Sequence, residues 1–282
     1  MKQFFKVHAI WIGLLAVLLG CMLCPNQADA KTYQTQDNYY SEGSCSVVIS
    51  NNKVYYSVTE TGKIFCYDIK TKKTKTIAAS KGKGFYNLKK KGNYLYAVYD
   101  NHQGSDGSER YIVRVSIKTG KKTTLAKGNN YVIAGKKIYY AKTKFIKVGD
   151  YGYDQQVGTY SMTLSGKKKK KAASVVLNTS RSEGSTIKTS KGSLSTRGYR
   201  KNGYYFAKSL WYTTPKGKTT VIYDMLKDQN APSYGSFEYY TLQGDYVVYK
   251  KSLKDGRAQL VLVKKNGKGA RVIYSATSIS GW

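Results

Sequence analysis

Residues 85–127 read FYNLKKKGNYLYAVYDNHQGSDGSERYIVRVSIKTGKKTTLAK. Four runs rich in Val, Ile, Tyr, Thr and Phe stand in this stretch, at 85–88, 94–99, 111–117 and 123–126. Turns made of Gly, Asn and Lys divide them. Branched and aromatic side chains suit a pleated sheet, and Gly and Asn suit the tight turns between strands. The stretch therefore predicts four short strands joined as hairpins.

The same layout recurs along the chain. A turn followed by an aromatic strand appears as Asn52-Lys53-Val54-Tyr55-Tyr56, Gly92-Asn93-Tyr94-Leu95-Tyr96 and Lys136-Lys137-Ile138-Tyr139-Tyr140. It returns as Asn202-Gly203-Tyr204-Tyr205-Phe206 and Gly244-Asp245-Tyr246-Val247-Val248. Downstream of each copy comes an alternating strand, then a Lys/Gly turn. Those strands are 64–69, 112–117, 160–164, 210–213 and 260–263. The period is about 40–50 residues, apart from the interval before Asn202, where the first anchor is delayed, and it suits a four-stranded propeller blade. A sheet whose two faces are both apolar must cover both, and packing blades face to face does so.

The expected fold class is all-β: a small β-propeller of about five, or six, four-stranded blades preceded by a signal-peptide helix. Blades are placed near 45–79, 85–127, 130–177, 193–224 and 236–276, after a leader at 1–30 and an N-terminal segment at 31–44. Residues 178–199 exceed an ordinary connection and leave room for a degenerate sixth blade. Residues 33–40 and 278–282 are candidates for closing the ring. A two-sheet sandwich and an open β solenoid are the alternative architectures. No amphipathic helix is expected after the leader.

The Tyr-Leu-Tyr element after its turn, followed by a Gly-Lys hairpin, resembles extracellular β-propeller repeats of Gram-positive anaerobes. Those are of the low-density-lipoprotein-receptor-related-protein-like type and are more distantly similar to TolB-type propellers. The resemblance covers roughly residues 45–276 and implies an extracellular propeller. It brings no catalytic residues, and the Tyr-Trp-Thr-Asp signature of the receptor propellers is absent.

The N-terminus reads as an export signal. Met1-Lys2-Gln3-Phe4-Phe5-Lys6 is positive, residues 7–23 are mainly apolar, and Ala28-Asp29-Ala30 offers a small-residue cleavage site. Cleavage is expected after Ala30. The alternative is a lipoprotein anchored at Cys21, because Leu18-Leu19-Gly20-Cys21 precedes that thiol. A permanent anchor would need a span at the short limit of about 17 residues. Past residue 30, Cys45 and Cys66 remain. The strand reading puts them on the first and third strands of one blade, about 9–10 Å apart, too far for a disulfide.

The whole chain carries a net charge of +32, and residues 31–282 carry about +31. Such a charge attracts polyanions. Its distribution is uneven. In a propeller the first-to-second and third-to-fourth turns share one face. The third-to-fourth turns hold Lys70, Lys72, Lys73, Lys118, Lys121, Lys122, Lys167, Lys168, Lys169, Lys170, Lys171, Lys216, Lys218, Lys264, Lys265 and Lys268. The first-to-second turns are expected to add Lys53, Lys89, Lys90, Lys91, Lys136, Lys137, Arg200 and Lys201. Lysine is a hydrated point charge on a flexible stem, suited to salt-sensitive contact with phosphate or uronate chains. The expected partners are an anionic cell-wall polymer or polysaccharide, or an extracellular protein. Export argues against nucleic acid. For any single turn, lysine is equally explained as a soluble turn residue that blunts a sheet edge.

The opposite face is expected to carry long connections at 101–109, 143–156, 178–196 and 227–236. Asp100, Asp106 and Glu109 fall in one, Asp150 and Asp154 in another. Calcium favours such oxygen ligands, but the spacing matches no EF-hand loop, and solvated turn carboxylates are the plainer reading. Tyr151, Tyr153 and Tyr234, with Trp211, are candidates for stacking on sugar rings.

Catalysis finds little support. His102 is the one histidine after the leader, and no Ser or Cys nucleophile motif accompanies it. A carboxylate pair drawn from Asp150, Asp154, Asp224 or Glu238 would be needed for a glycosidase, and nothing in the sequence selects one. No cofactor or metal is expected. A binding or scaffold module is the leading reading, with a protein-interaction or sensory propeller and a carbohydrate-active enzyme as alternatives. N-terminal sequencing of the chain secreted by an export-competent host is expected to begin at Lys31; a lipid-modified Cys21 would replace that reading.

Overall fold

The computed structural model describes residues 30–34, 45–58, 61–80, 84–101, 109–149, 151–178, 186–202, 204–232 and 239–276. They form strands almost throughout. The chain starts with β1 (Lys31–Gln34). Blade one is β2 (Cys45–Ser50), β3 (Lys53–Val58), β4 (Lys63–Asp68) and β5 (Thr74–Ala79). Blade two is β6 (Gly84–Lys91), β7 (Tyr94–Asp100), β8 (Arg110–Ser116) and β9 (Lys122–Lys127). Blade three is β10 (Asn130–Ala134), β11 (Lys137–Val148), β12 (Tyr151–Thr163) and β13 (Lys170–Lys171), followed by β14 (Val175–Asn178). Blade four is β15 (Ile187–Thr189), β16 (Gly192–Lys201), β17 (Tyr204–Thr213) and β18 (Thr219–Asp224). Blade five is β19 (Tyr239–Gln243), β20 (Tyr246–Ser252), β21 (Ala258–Lys264) and β22 (Arg271–Ser275).

Each blade is one four-stranded antiparallel sheet with its strands in chain order, and a sixth sheet pairs β1 with β14. The hairpins follow from turn chemistry. In blade one the β2–β3 turn is Asn51-Asn52, with φ of 52° and 56°. Asparagine tolerates that left-handed pair, and it matches the twist of the flanking strands.

Middle strands have both faces buried, and their alternate residues serve different neighbours. On β7, Leu95 and Ala97 pack with Ile64 and Val113 toward blade one. Tyr96 and Val98 pack with Ile138 and Met162 toward blade three. On β20, Val247 and Tyr249 join Leu194 and Leu210 of blade four, while Val248 joins Val54 and Tyr56 of blade one. Each fully buried aliphatic side chain contributes about 1.5–3 kcal/mol. The apolar clusters thus stack the blades in the order three, two, one, five, four.

Polar staples between first strands reinforce that stack. Ser46 Oγ accepts from Leu88 N at 2.7 Å between blades one and two. Tyr131 OH donates to Asn87 O at 2.8 Å between blades two and three. Between blades five and one, Gln243 Oε1 accepts from Ile49 N at 2.7 Å, and Gln243 Nε2 donates to Val47 O at 2.9 Å. The first and last blades therefore meet through a side-chain amide that mimics a missing strand pairing.

No apolar cluster joins blades three and four among the described residues. The parallel pair β1–β14 packs on blade three, on the side turned away from blade two. Tyr33 stacks on Tyr139 with ring centroids 5.5 Å apart. Residues 31–34 of the N-terminal stretch thus do pair within the assembly, whereas 278–282, Ala28 and Cys21 lie outside the described residues.

Three expectations need correction. The span 193–224 omits β15, so blade four starts at Ile187. The stretch 143–156 is no irregular loop but the outward extension of the β11–β12 hairpin, past a register shift at Lys142/Thr143. The span 130–177 runs into β14, which belongs to the sixth sheet. Cys45 and Cys66 lie on β2 and β4 and are both free, with β3 between them.

Replacing Gln243 with Ala leaves the Ile49 N–H and Val47 C=O without that partner. The substitution is expected to cost about 1–3 kcal/mol, read as a lowered denaturant midpoint. Leu95→Ala, in the cluster between blades one and two, is expected to cost about 2–5 kcal/mol.

Candidate polyanion-binding face

The first-to-second and third-to-fourth turns open at the same end of each sheet, and backbone hydrogen bonds tie them together. Ile69 N donates to Asn52 O at 2.9 Å in blade one, Ile117 N to Asn93 O at 3.0 Å in blade two, and Lys265 N to Asp245 O at 2.9 Å in blade five.

The third-to-fourth turns share a backbone plan. One left-handed position is common to all five, at Lys72 (φ 59°), Gly120 (71°), Gly166 (84°), Gly217 (83°) and Gly267 (78°), and blades three and five add Lys168 (54°) and Gly269 (70°). The residue after the common position is lysine in all five blades: Lys73, Lys121, Lys167, Lys218 and Lys268. Its carbonyl closes the turn, accepting from the N–H of Asp68, Ser116, Thr163, Thr214 and Lys264 respectively, at 2.8–3.2 Å. A carbonyl is common to every residue type, so the backbone plan does not require lysine there. All five side chains are exposed. Three of the turns, at Gly120, Gly166 and Gly267, also rest on the preceding blade. A Cβ on Gly120 would stand 2.3 Å from Ile77 O of the preceding blade, so the turn backbone lies directly on that strand.

Lys70, Lys72, Lys91, Lys118, Lys122, Lys136, Lys137, Lys168, Lys169, Lys170, Lys171, Lys216 and Lys264 are exposed at the same end. Lys53, Lys89, Lys90 and Lys265 are half-buried, with stems along the sheet. Two of the expected residues are elsewhere. Arg200 and Lys201 flank the β16–β17 turn, the second-to-third turn of blade four, and so lie at the opposite end. An Asn-Gly pair suits any tight hairpin, so the turn chemistry alone does not say which hairpin it closes. The true first-to-second turn of blade four holds Lys191, whose carbonyl accepts from Tyr212 OH. The Thr189-Ser190-Lys191-Gly192 turn was its signal in the sequence.

Carboxylates are scarce on this face. Among the described residues only Asp68 and Asp245 lie at the turn end, and both are engaged. Asp68 Oδ1 accepts from Lys70 N at 2.9 Å and Thr71 N at 3.0 Å. These backbone donors hold its carboxyl below the usual range. Asp245 pairs with Lys265 Nζ at 2.7 Å, which lowers its carboxyl likewise. The other described acids, Asp100, Glu109, Asp154, Asp224, Asp228 and Asp255, lie at the far end of their sheets. One end is therefore lysine-rich and acid-poor.

At the far end, blades two and three meet through a charge cluster. Lys127 Nζ lies 2.6 Å from Glu109 Oε1, and Tyr111 OH donates to Glu109 Oε2. Arg110 Nε lies 3.5 Å from Asp100 Oδ2. Asp154, on the β12 extension, has both oxygens sealed from solvent without a well-aligned hydrogen-bond partner. The carboxylates of two separate chain segments are thus gathered around Arg110 and Lys127, not solvated singly as expected. Burial pushes the Asp154 carboxyl up, against the opposing pull of Lys127 and Arg110. The Lys127 and Tyr111 hydrogen bonds hold Glu109 down, and Tyr111 is pushed up to about 12, first by its bond to Glu109 and then by burial. No cluster of three or more His, Cys, Asp or Glu side chains suited to a metal occurs among the described residues. Asp106, Asp150, His102, Glu238 and Tyr234 lie outside them. Tyr153 is 54% exposed on the blade-three hairpin.

No protein-family model matches the chain, and no curated protein matches its sequence. Solved structures similar to it include the tricorn protease, at 13% identity over 82% of this chain and 22% of that one, with a TM-score of 0.33. TolB from Acinetobacter baumannii is 14% identical over 78% of this chain and 50% of that one, with a TM-score of 0.28. The β-propeller domain of the Trilobed protease from Pyrococcus furiosus is 11% identical over 78% of this chain and 65% of that chain, with a TM-score of 0.30. The chain thus spans about a fifth of the tricorn protease chain and half of TolB. What the strands and faces define is an all-β repeat protein of propeller-type blades. Among its described residues no helix is long and apolar enough to cross a membrane.

The Asp154 carboxyl is raised in the folded state, so its charged form costs stability above that raised value. The cost disappears as pH falls below the unfolded value of about 3.9. Asp154→Asn is therefore expected to raise the unfolding midpoint at pH 7, with the gain shrinking toward pH 4. Glu109 has the opposite sign: its contribution is present at neutral pH and is lost as pH falls through its lowered value. Glu109→Gln should lower the pH 7 midpoint, in the same thermal-melt series.

Proposed function

We propose that the chain is an open five-bladed propeller with a two-stranded sixth sheet, serving as a non-catalytic binding scaffold outside the cell. Its lysine turn face docks on an anionic polymer, either a cell-wall polymer or an acidic polysaccharide. The observation that supports this most is the exposed lysine after the shared left-handed position of every third-to-fourth turn. Five equivalent positions whose backbone role is indifferent to side chain all carry the same cation. Lysine, not arginine, fits contact with successive point charges along a flexible chain, without bidentate recognition. The two acids of this face are held by their own turns, which leaves most of its lysines for a partner.

Export through the leader at 1–30, or anchorage at Cys21, belongs to the same proposal. The face would then meet polyanions of the surface. A protein-interaction scaffold is the second reading. It is favoured by exposed Val148, Tyr153 and Val157 on the blade-three hairpin and Tyr199 on blade four. The enzyme reading is the weakest. Asp154 is sealed from solvent, and Asp224 Oδ1 accepts from Leu226 N at 3.0 Å as the cap of a 3-10 turn.

The test compares two five-site variants on immobilised heparin and on teichoic acid. One carries Gln at Lys73, Lys121, Lys167, Lys218 and Lys268. The other carries Gln at Lys142, Lys144, Lys147, Lys201 and Lys254, at the far end. The first is expected to elute at clearly lower salt, with the slope of log affinity against log salt reduced by roughly one per lysine engaged. The second should elute near the parent. Equal elution of the two variants, or retention of the parent that is insensitive to salt, would overturn the proposal.

A further inference from the structure

The middle strands of blades one, two and five are six or seven residues long. Those of blade three have 12 and 13 residues, and those of blade four have 10 each. The second-to-third hairpins of blades three and four therefore run on past the other sheets at the far end. At about 3.3 Å per residue they project by roughly 10–17 Å. Each passes a register shift where it leaves its blade, at Lys142/Thr143 and at Arg197/Gly198.

Register sorts the two faces of each projection. On the blade-three hairpin Phe145 pairs with Asp154, and this face rests on blade two, with Lys127 Nζ 5.8 Å from the Phe145 ring. Ile146 pairs with Tyr153 on the other face. Tyr153 stands in solvent there, and Val148 is 60% exposed. Lys144 and Lys147 are exposed beside them. On the blade-four hairpin Gly198 pairs with Ala207, which packs toward blade five. Tyr199 pairs with Phe206 on the other face and stacks on it, with ring centroids 5.5 Å apart. Tyr199 is 48% exposed, and Arg200 and Lys201 follow it, both exposed. Each projection thus holds apolar or aromatic groups in solvent with cations next to them.

The charge of the projections is one-sided. Residues 142–157 hold Lys142, Lys144 and Lys147 against Asp150 and Asp154, and residues 196–208 hold Arg197, Arg200, Lys201 and Lys208 with no acid. Asp100, Glu109, Asp228 and Asp255 lie at the same end but are paired with Arg110, Lys127, Lys251 and Arg257.

We infer that these two hairpins dock the protein on the surface of an anionic lipid bilayer. Side chains of this make-up settle at headgroup level, with aromatic rings in the interface and lysine stems reaching the phosphates. Interfacial segments sink by about 5–10 Å, less than either hairpin projects, so the blades themselves need not touch lipid. A protein partner fits less well. Protein interfaces are depleted in lysine, and here lysines stand among the apolar groups on narrow tips. A hydrated polyanion would engage the cations and leave Val148, Tyr153 and Tyr199 in water. Charge complementarity and projection together select the bilayer. The inference rests on the extracellular reading only for which membrane is met, and it does not depend on the lysine-turn face.

The test uses the chain secreted by an export-competent host with Cys21→Ala, so that no lipid is attached there. It is mixed with vesicles of phosphatidylglycerol and phosphatidylcholine in equal parts, and with vesicles of phosphatidylcholine alone. Sedimentation should show binding to the first, and binding to the second weaker by roughly tenfold or more. Val148→Asp with Tyr153→Asp should weaken binding to the anionic vesicles by roughly tenfold or more, and so should Lys144→Gln with Lys147→Gln. All four positions are exposed, so the parent melting temperature is expected in each variant. In Tyr153→Trp, the emission gained over the parent should be quenched by lipids brominated on their acyl chains. The variant with Gln at Lys73, Lys121, Lys167, Lys218 and Lys268 should bind the vesicles as the parent does, which separates this inference from the polymer proposal. The inference is overturned if the anionic vesicles do not bind the parent, if they bind Val148→Asp with Tyr153→Asp equally well, if residue 153 is not quenched, or if the turn variant alone loses binding.

Discussion

The interaction on which the rest depends is the packing of one sheet face against the next. Strands such as β7 and β20 bury alternate side chains on opposite sides, so no blade can satisfy its core alone. Each sheet needs two neighbours, and a finite stack has two ends. The chain deals with one end by laying β1 and β14 over blade three. On blade four, the face turned from blade five mixes Ser195, Ser209 and Thr213 with Trp211 and Tyr199 and joins no apolar cluster among the described residues. The junction that lacks a shared apolar cluster among the described residues therefore lies in the middle of the chain, while the first and last blades meet directly through Gln243, Tyr239 and a shared apolar cluster.

The same packing explains why charge can be so unevenly placed. With the sheets buried edge to centre, the strand ends are left as the main sites for variation. At one end the hairpins are short and fixed in conformation, and a lysine follows the shared left-handed position of each third-to-fourth turn. Three of these turns, at Gly120, Gly166 and Gly267, rest against the preceding blade, and all five repeat one backbone plan, so the lysines form a recurring array. At the other end the β11–β12 and β16–β17 hairpins extend outward, and the carboxylates gather there with Arg110, Lys127, Lys251 and Arg257. The two ends differ in chemistry because they differ in loop length and carboxylate content, not in fold.

Much of the fold was legible because turn chemistry is local. Asn51-Asn52, Gly92-Asn93 and the Gly-Lys pairs mark hairpins wherever they fall, and the aromatic runs between them mark strands. The lysine face was legible for the same reason, since it is a property of turns. Blade four shows where that reasoning stops. Asn202-Gly203 closes the second hairpin and not the first, because β15 is only three residues long and offers almost no apolar pattern. Arg200 and Lys201 were misplaced with it, and Lys191 was missed.

The sequence by itself determined the strand repeat, the lysine in each third-to-fourth turn and the separation of Cys45 from Cys66, all consequences of neighbours within one blade. Tertiary structure alone decided which blades share apolar clusters. Lys31 finds Val175, and Asp154 finds Arg110, across segments whose local patterns say nothing of each other. Trp211 shows the difference most clearly. Its alternating strand reads like any other, and only the fold leaves its ring half-buried under Arg197, outside every apolar cluster among the described residues.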